Sequence, residues 1–261
     1  MNYDLPNQKI DARASYEELE AKIPEVMVMK GFDQKSDFHD LTLDQHTRKL
    51  GEKLEQDEFL KMLPEKIRDL VLLAGKLHDL GKVTPVGSQI HPRDPEKRQY
   101  VGHEKESERI AREILPKYFQ LSQEEIDFVA KLTGLHASAL NLVNNFEKNN
   151  QPKGSNLKSY GEFLQKVEEV PGDLDLNQKV EIIIALNKAD KMAGFNDQSD
   201  RNSEKVQKIM AGSEKQVKVL EEMQKAWPAL IEAIQAKRNG DQTAGIILEN
   251  GKYRYDKKES V

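Results

Sequence analysis

At 261 residues the chain is long enough to bury a substantial core, as one large domain or one domain with appendages. Charged residues make up 33% and hydrophobic ones 37%, and the net charge of -5 argues against a large nonspecific nucleic-acid surface, which needs a dense basic face. The absence of cysteine excludes disulfides and thiolate metal sites. No apolar run approaches the roughly 20 residues that span a bilayer, and Met1 to Pro6 lacks the basic and apolar regions of a secretion signal. A cytoplasmic protein without a membrane partner is expected.

Periodicity predicts a mostly helical chain. The capping box Thr42-Leu43-Asp44-Gln45 opens a helix with Leu43, Leu50 and Leu54 on one stripe. Pro64 suits the first turn of the next, which carries Ile67, Leu70, Val71, Ala74 and Leu77 before Gly81 ends it. Residues 83 to 101 hold Pro85, Gly87, Pro92 and Pro95 and read as a long loop, placed where it can cover a substrate. Helices resume at 103 to 118 and at 123 to 137, the second opened by the capping box Ser122 to Glu125. Residues 144 to 156 read as a polar connector, followed by helices near 157 to 169, 176 to 193 and 203 to 237, the last interrupted at Pro228. Val206, Ile209, Met210, Val217 and Leu220 give that helix a packing stripe. The tail, Ile246 to Tyr255 around Asn250-Gly251, carries a hairpin signal.

The most informative stretch is Leu77-His78-Asp79-Leu80-Gly81-Lys82, an adjacent His-Asp pair closing an apolar helix. His46 lies three residues after Leu43 and four before Leu50, and His78 lies four after Ala74 and seven after Val71. His103 precedes Ile110 by seven, His136 follows Leu132 by four, and Asp190 follows Leu186 by four. These residues therefore share the apolar faces of their helices and point inward. A single inward histidine is ordinarily a satisfied core residue, and Asp190 alone would pair with a base such as Lys188 or Lys191. Two inward carboxylates together demand a counter-charge, which a divalent metal supplies.

The ordered series His46, His78-Asp79, His103, His136, Asp190 resembles the ligand series of the HD superfamily of metal-dependent phosphohydrolases, across about residues 36 to 195. Phe38-His39, Thr84-Pro85 and Gly102-His103-Glu104 are similar to the HD domain of bacterial CCA-adding enzymes. The roughly 35 residues ahead of this region leave no room for a nucleotidyltransferase domain. Ala137 stands where some cyclic-dinucleotide and nuclease relatives carry a second histidine, and no Gly-Tyr-Pro motif occurs. The resemblance implies an all-α HD-domain helical bundle over 36–195, with an N-terminal extension over 1–35. Over 196–261 a C-terminal helical extension and a β-hairpin tail are expected.

It also implies the chemistry. His46, His78, Asp79 and Asp190 would hold one metal, and His103 and His136 a second, with Asp79 as bridge. Mn, Fe, Ni, Co or Zn suits such donors, and Mg is an alternative. The centre would activate water for in-line attack on phosphorus, with Asp79 and Lys82 as catalytic residues. Lys82, His91, Arg93 and His39 are expected on the substrate, joined by Lys97 and Arg98 of the long loop; Lys82 also suits a helix C-terminus for dipole reasons alone. The expected substrate is a small nucleotide, cyclic nucleotide or other phosphoester, or an RNA 3′ end, hydrolysed by a phosphodiesterase or phosphatase. Two alternatives use the same ligands: a diiron HD-type oxygenase of a small polar substrate, and a stand-alone HD nuclease. A homodimer is a further expectation.

Overall fold

The computed structural model describes residues 9–37, 39–147, 157–195, 203–241, 244–250 and 252–256. The chain is predominantly helical, with two small antiparallel hairpins, and is an all-α bundle in class. Among the described residues no helix is long and apolar enough to cross a membrane.

Two short helices, α1 (Tyr16–Lys22) and α2 (Pro24–Met27), precede α3 (Leu43–Gln56), α4 (Glu58–Met62) and α5 (Glu65–Leu77). A tight 3-10 turn, Leu80–Val83, follows α5, and then comes the hairpin β1 (Gln89–His91) and β2 (Asp94–Gln99). Five further helices complete the bundle: α6 (His103–Tyr118), α7 (Gln123–Leu135), α8 (Leu140–Glu147), α9 (Leu157–Glu168) and α10 (Leu176–Met192). The long α11 (Glu204–Arg238) and the hairpin β3 (Gly245–Glu249) and β4 (Lys252–Asp256) end the described chain.

Local chemistry explains the main boundaries. Thr42 N donates to Gln45 Oε1 at 3.3 Å, Ser122 N to Glu125 Oε2 at 2.7 Å, and Asp175 N to Gln178 Oε1 at 3.1 Å, so three helices start on capping boxes. Asn250, with φ of 49°, takes the left-handed turn position that its residue type tolerates between β3 and β4. One continuous core collects α5 against α3 and α7, α6 against α7, and α10 against α3, α9 and α11. The N-terminal segment belongs to that core. Leu19, Ile23, Val26 and Met29 are fully buried, Lys76 of α5 donates to Ala14 O at 2.6 Å, and Arg48 of α3 pairs with Glu17 and Glu20.

Three sequence expectations need correction. The stretch 83 to 101 is not a plain loop: Gln89 pairs with Gln99, Ile90 with Arg98 and His91 with Asp94, with an irregularity after Ile90. Pro95 is tolerated because it is exposed and falls where the register is irregular in a sheet of only two strands, each of which is an edge. The connector placed at 144 to 156 overlaps α8, whose Leu142, Val143 and Phe146 are buried; residues 148–156 lie outside the described residues. Finally, α11 runs unbroken through Pro228. The proline sits on the exposed face, where water can satisfy the carbonyl it leaves unpaired, while Met223, Trp227 and Leu230 anchor the opposite face. Trp227 packs on Phe163 and Tyr160 of α9 with ring centroids 5.3 and 5.9 Å apart.

The 3-10 turn lies against the start of α6 with no side chain between. Gly81 N donates to Ser107 Oγ at 2.8 Å, and a Cβ on Gly81 would collide with the His103 carbonyl oxygen. A Cβ on Gly87 would likewise strike the carbonyl oxygen of Gly81. Gly81→Ala is therefore expected to lower stability by about 1–3 kcal/mol and to displace His103, because the obstructing atoms are backbone. Denaturant unfolding together with metal-binding affinity checks this: a variant equal to the parent in both would contradict the close approach.

Candidate metal centre

Asp79 sits at the middle of a buried cluster drawn from five helices or their ends. His46 comes from α3, His78 and Asp79 from the end of α5, His103 from the first turn of α6, His136 from the end of α7, and Asp190 from α10. All six are at least nine-tenths buried. Their donor atoms form two groups, His46, His78, Asp79 and Asp190 in one and Asp79, His103 and His136 in the other, each within 4.8 Å. The two oxygens of Asp79 divide between them. Oδ2 faces His78 Nε2 at 3.0 Å and His46 Nε2 at 3.6 Å, while Oδ1 faces His103 Nε2 at 3.2 Å and His136 Nε2 at 3.7 Å. Asp190 Oδ1 closes the first group 3.1 Å from His46 Nε2.

Every ring is turned the same way. His78 Nδ1 lies 2.8 Å from Gly75 O, His103 Nδ1 2.6 Å from Tyr100 O, and His136 Nδ1 2.7 Å from Thr133 O, each three residues back along the chain. His46 Nδ1 reaches Ala193 O at 3.1 Å, just past the helix that carries Asp190. A carbonyl can only accept, so each Nδ1 carries a hydrogen and each ring turns its Nε2 toward the centre. His103 Nε2 and His136 Nε2 then face each other at 3.3 Å. Among the described residues, His78 Nε2 and both Asp79 oxygens are buried without a properly directed hydrogen bond. Converging lone pairs of this kind cost free energy in a dry interior unless a cation sits between them. Imidazole nitrogens mixed with carboxylate oxygens fit a divalent transition metal better than the all-oxygen set preferred by Mg²⁺.

Electrostatics agree with that fit. Burial opposes ionisation of Asp79, but His78, Lys82 and His103 hold its carboxyl well below the usual range. Asp190 is likewise depressed against burial, by Lys191, His46 and His78. Burial, with His78 and His103 beside it, pushes the His136 imidazole down to about 3 and keeps it neutral. Burial alone would depress His78, but Asp79 and Asp190 outweigh it and raise the group to about 9.

The cluster forms the floor of a cleft of about 660 Å³. Of the substrate-binding residues expected from sequence, His39, Lys82 and His91 line it, whereas Arg93 is exposed at the hairpin turn and does not. Lys82 is almost fully buried, with Nζ 2.8 Å from Asp79 Oδ2 and 3.1 Å from Gln34 Oε1, and 5.3 Å from the Tyr100 ring centre. Lys97, Arg98 and Lys191 bring further positive charge to the walls. Sequence reasoning missed Gln34 and Tyr100. Gln34 is buried, donates to Leu41 O at 3.2 Å, and its own carbonyl accepts from the Tyr100 hydroxyl at 2.5 Å, so the two hold Lys82 from both sides. No motif marks Gln34; Tyr100 is signalled only by its place three residues before His103.

A helical bundle whose interior converges four histidines and two aspartates on one point defines an α-helical metal-site protein. The family model of the HD domain matches residues 39–191, from the cleft-lining His39 to the residue after Asp190, and the chain belongs to that family. The family is one of metal-dependent phosphohydrolases. No curated protein matches the chain.

Two outcomes are expected. Asp79→Asn keeps the shape but removes the charge shared by both donor groups, so metal content by atomic emission should fall by more than the roughly 10–100-fold that loss of an outer partner costs. Because His78 titrates near 9 without a cation, binding a divalent ion at pH 7 must expel its proton, and affinity should rise with pH until about 9. Calorimetry in buffers of different ionisation enthalpy reads the proton released; a pH-independent affinity would refute the assignment of His78 as a ligand.

Proposed function

We propose that this chain hydrolyses phosphomonoesters or phosphodiesters of nucleotides, cyclic nucleotides or RNA ends in the cytoplasm, with His46, His78, Asp79 and Asp190 holding one divalent ion and Asp79, His103 and His136 a second. The observation that carries this reading is the division of the two Asp79 oxygens between two sets of inward Nε2 atoms, at the floor of a cleft that Lys82 and Arg98 line. Residues 36–195 are read as the catalytic unit, with 1–35 and 196–261 as extensions.

Bound ions at this position acidify water and neutralise phosphoryl charge. The chain's own residues supply the rest. The Nδ1 hydrogen bonds fix each imidazole, so the donors need little reorganisation when substrate enters. The Lys82 ammonium pairs with the Asp79 carboxylate and donates one hydrogen to Gln34, and a further hydrogen can meet a phosphoryl oxygen in the cleft. Arg98, held by Ser88 Oγ at 3.0 Å, and His91 stand on the hairpin wall facing the same space. Their positions suit contact with the non-bridging oxygens or with the leaving group.

Mn²⁺-loaded protein assayed on 2′,3′-cyclic AMP, 3′-AMP, 5′-dAMP and bis-p-nitrophenyl phosphate, with Asp79→Ala as control, tests the reading. Turnover lost in the variant supports it and separates monoester from diester chemistry. No turnover by metal-loaded protein, with oxygen consumption by the iron form, would replace it with a diiron oxygenase. Lys82→Met should lower kcat by roughly 10²–10³-fold, comparable to loss of one transition-state donor. Its metal affinity should not fall, since the variant removes a cation that competes for Asp79.

A further inference from the structure

Beside the metal cleft lies a second cavity of about 440 Å³. The two spaces share Asp37, His39, Asp190 and Lys191 as common walls, so the second adjoins the cluster at Asp190. Its far wall is α11, which turns Lys208, Ile209, Gly212, Ser213 and Gln216 toward it at the three- and four-residue spacing of a single helix face. None of these α11 residues falls within the segment matched by the HD family.

The lining says what would fit. Among the described lining residues only Ile209 is large and apolar, which gives a lipid chain little wall to lie on. Lys191 is occupied by Asp190 at 3.2 Å, and Asp37 is occupied by Lys97 at 2.8 Å, which leaves Lys208 as one cation rather than a track for a nucleic-acid backbone. Ser213 and Gln216 are half-buried, and among the described residues nothing hydrogen-bonds their side chains. His39, at the junction, has its Nδ1 buried without a hydrogen-bond partner among the described residues. A Cβ on Gly212 would meet nothing within 4 Å and would project into open space. The volume lies within the usual ligand-site range of roughly 300–1,000 Å³.

We propose that this lobe holds the nucleoside of a nucleoside phosphoester while the phosphate sits at the metal cluster, so that α11 sets which substrates the centre accepts. The proposal rests on the phosphoester reading above. His39 Nδ1, Ser213 and Gln216 supply the hydrogen bonds to an uncharged heterocycle and sugar, and the bare backbone at Gly212 lets a flat ring lie against the helix.

The test is calorimetric titration of Mn²⁺-loaded protein with 5′-AMP, 5′-CMP, glucose 6-phosphate and inorganic phosphate. Gly212→Leu fills the lobe without meeting protein atoms at its Cβ and replaces glycine by a better helix former, so folding is not at risk. Glu214→Leu, exposed and outside the lobe, is the matched control. The expected result is that at least one nucleotide binds roughly tenfold or more tightly than inorganic phosphate, that Gly212→Leu erases the advantage, and that Glu214→Leu keeps it. Nucleotides no tighter than phosphate, or an advantage that survives Gly212→Leu, would overturn the lobe while leaving the phosphoester reading intact. An advantage confined to glucose 6-phosphate would overturn the nucleoside assignment. Failure to bind phosphate or turn over any phosphoester would strike the parent reading, and this proposal with it.

Discussion

The arrangement of the whole site depends on one small interaction repeated four times: a histidine Nδ1–H donated to a backbone carbonyl. In three cases the carbonyl is three residues back on the same chain, at Gly75, Tyr100 and Thr133. At Gly75 and Thr133 that spacing puts the acceptor in the last turn of a helix, where no helical N–H claims it, whereas Tyr100 lies in the turn ahead of α6. The tautomer is thereby decided by the backbone rather than by the ligand. With Nδ1 committed outward, four Nε2 atoms face two buried carboxylates, an arrangement in which a divalent cation can take the place of the proton that His78 otherwise carries. The surrounding helices serve this requirement, each contributing its ligand from a terminus or a buried stripe.

Much of this was legible in the sequence because the ligands obey the same periodicity as the core. His46 travels with Leu43 and Leu50, and Asp190 with Leu186, so a hydropathy pattern already places them inside. The helical class, the capped starts of α3, α7 and α10, and the terminal hairpin follow from similarly local rules. What escaped was either non-local or dependent on solvent. Gln34 matters because the chain folds back to set it against Lys82 and Tyr100, and nothing in its neighbours announces that. The β1–β2 pairing has no alternating pattern, and its two prolines argue against a strand until the exposed edge is seen. Pro228 reads as a break until its face of α11 is known to be wet.

The N-terminal segment illustrates how a region with no ligand still conditions the site. Arg48 of α3 is held by Glu17 and Glu20, and Lys76 of α5 is held by Ala14. These two helices carry His46 and the His78-Asp79 pair. The segment therefore ties together two helices that carry residues of the cluster, and it adds fully buried apolar residues to the same core.

The stacking of Gly87 on Gly81, and of Gly81 on His103, has a mechanical meaning. Where side chains separate two segments, rotamer changes can absorb a displacement. Here three stretches of backbone touch directly, and bare backbone has no rotamers with which to yield. The hairpin that begins just after Gly87 is thus joined to a ligand-bearing helix by a stiff linkage with almost no compliance. A load placed on that hairpin is delivered to the position of His103 rather than dissipated on the way.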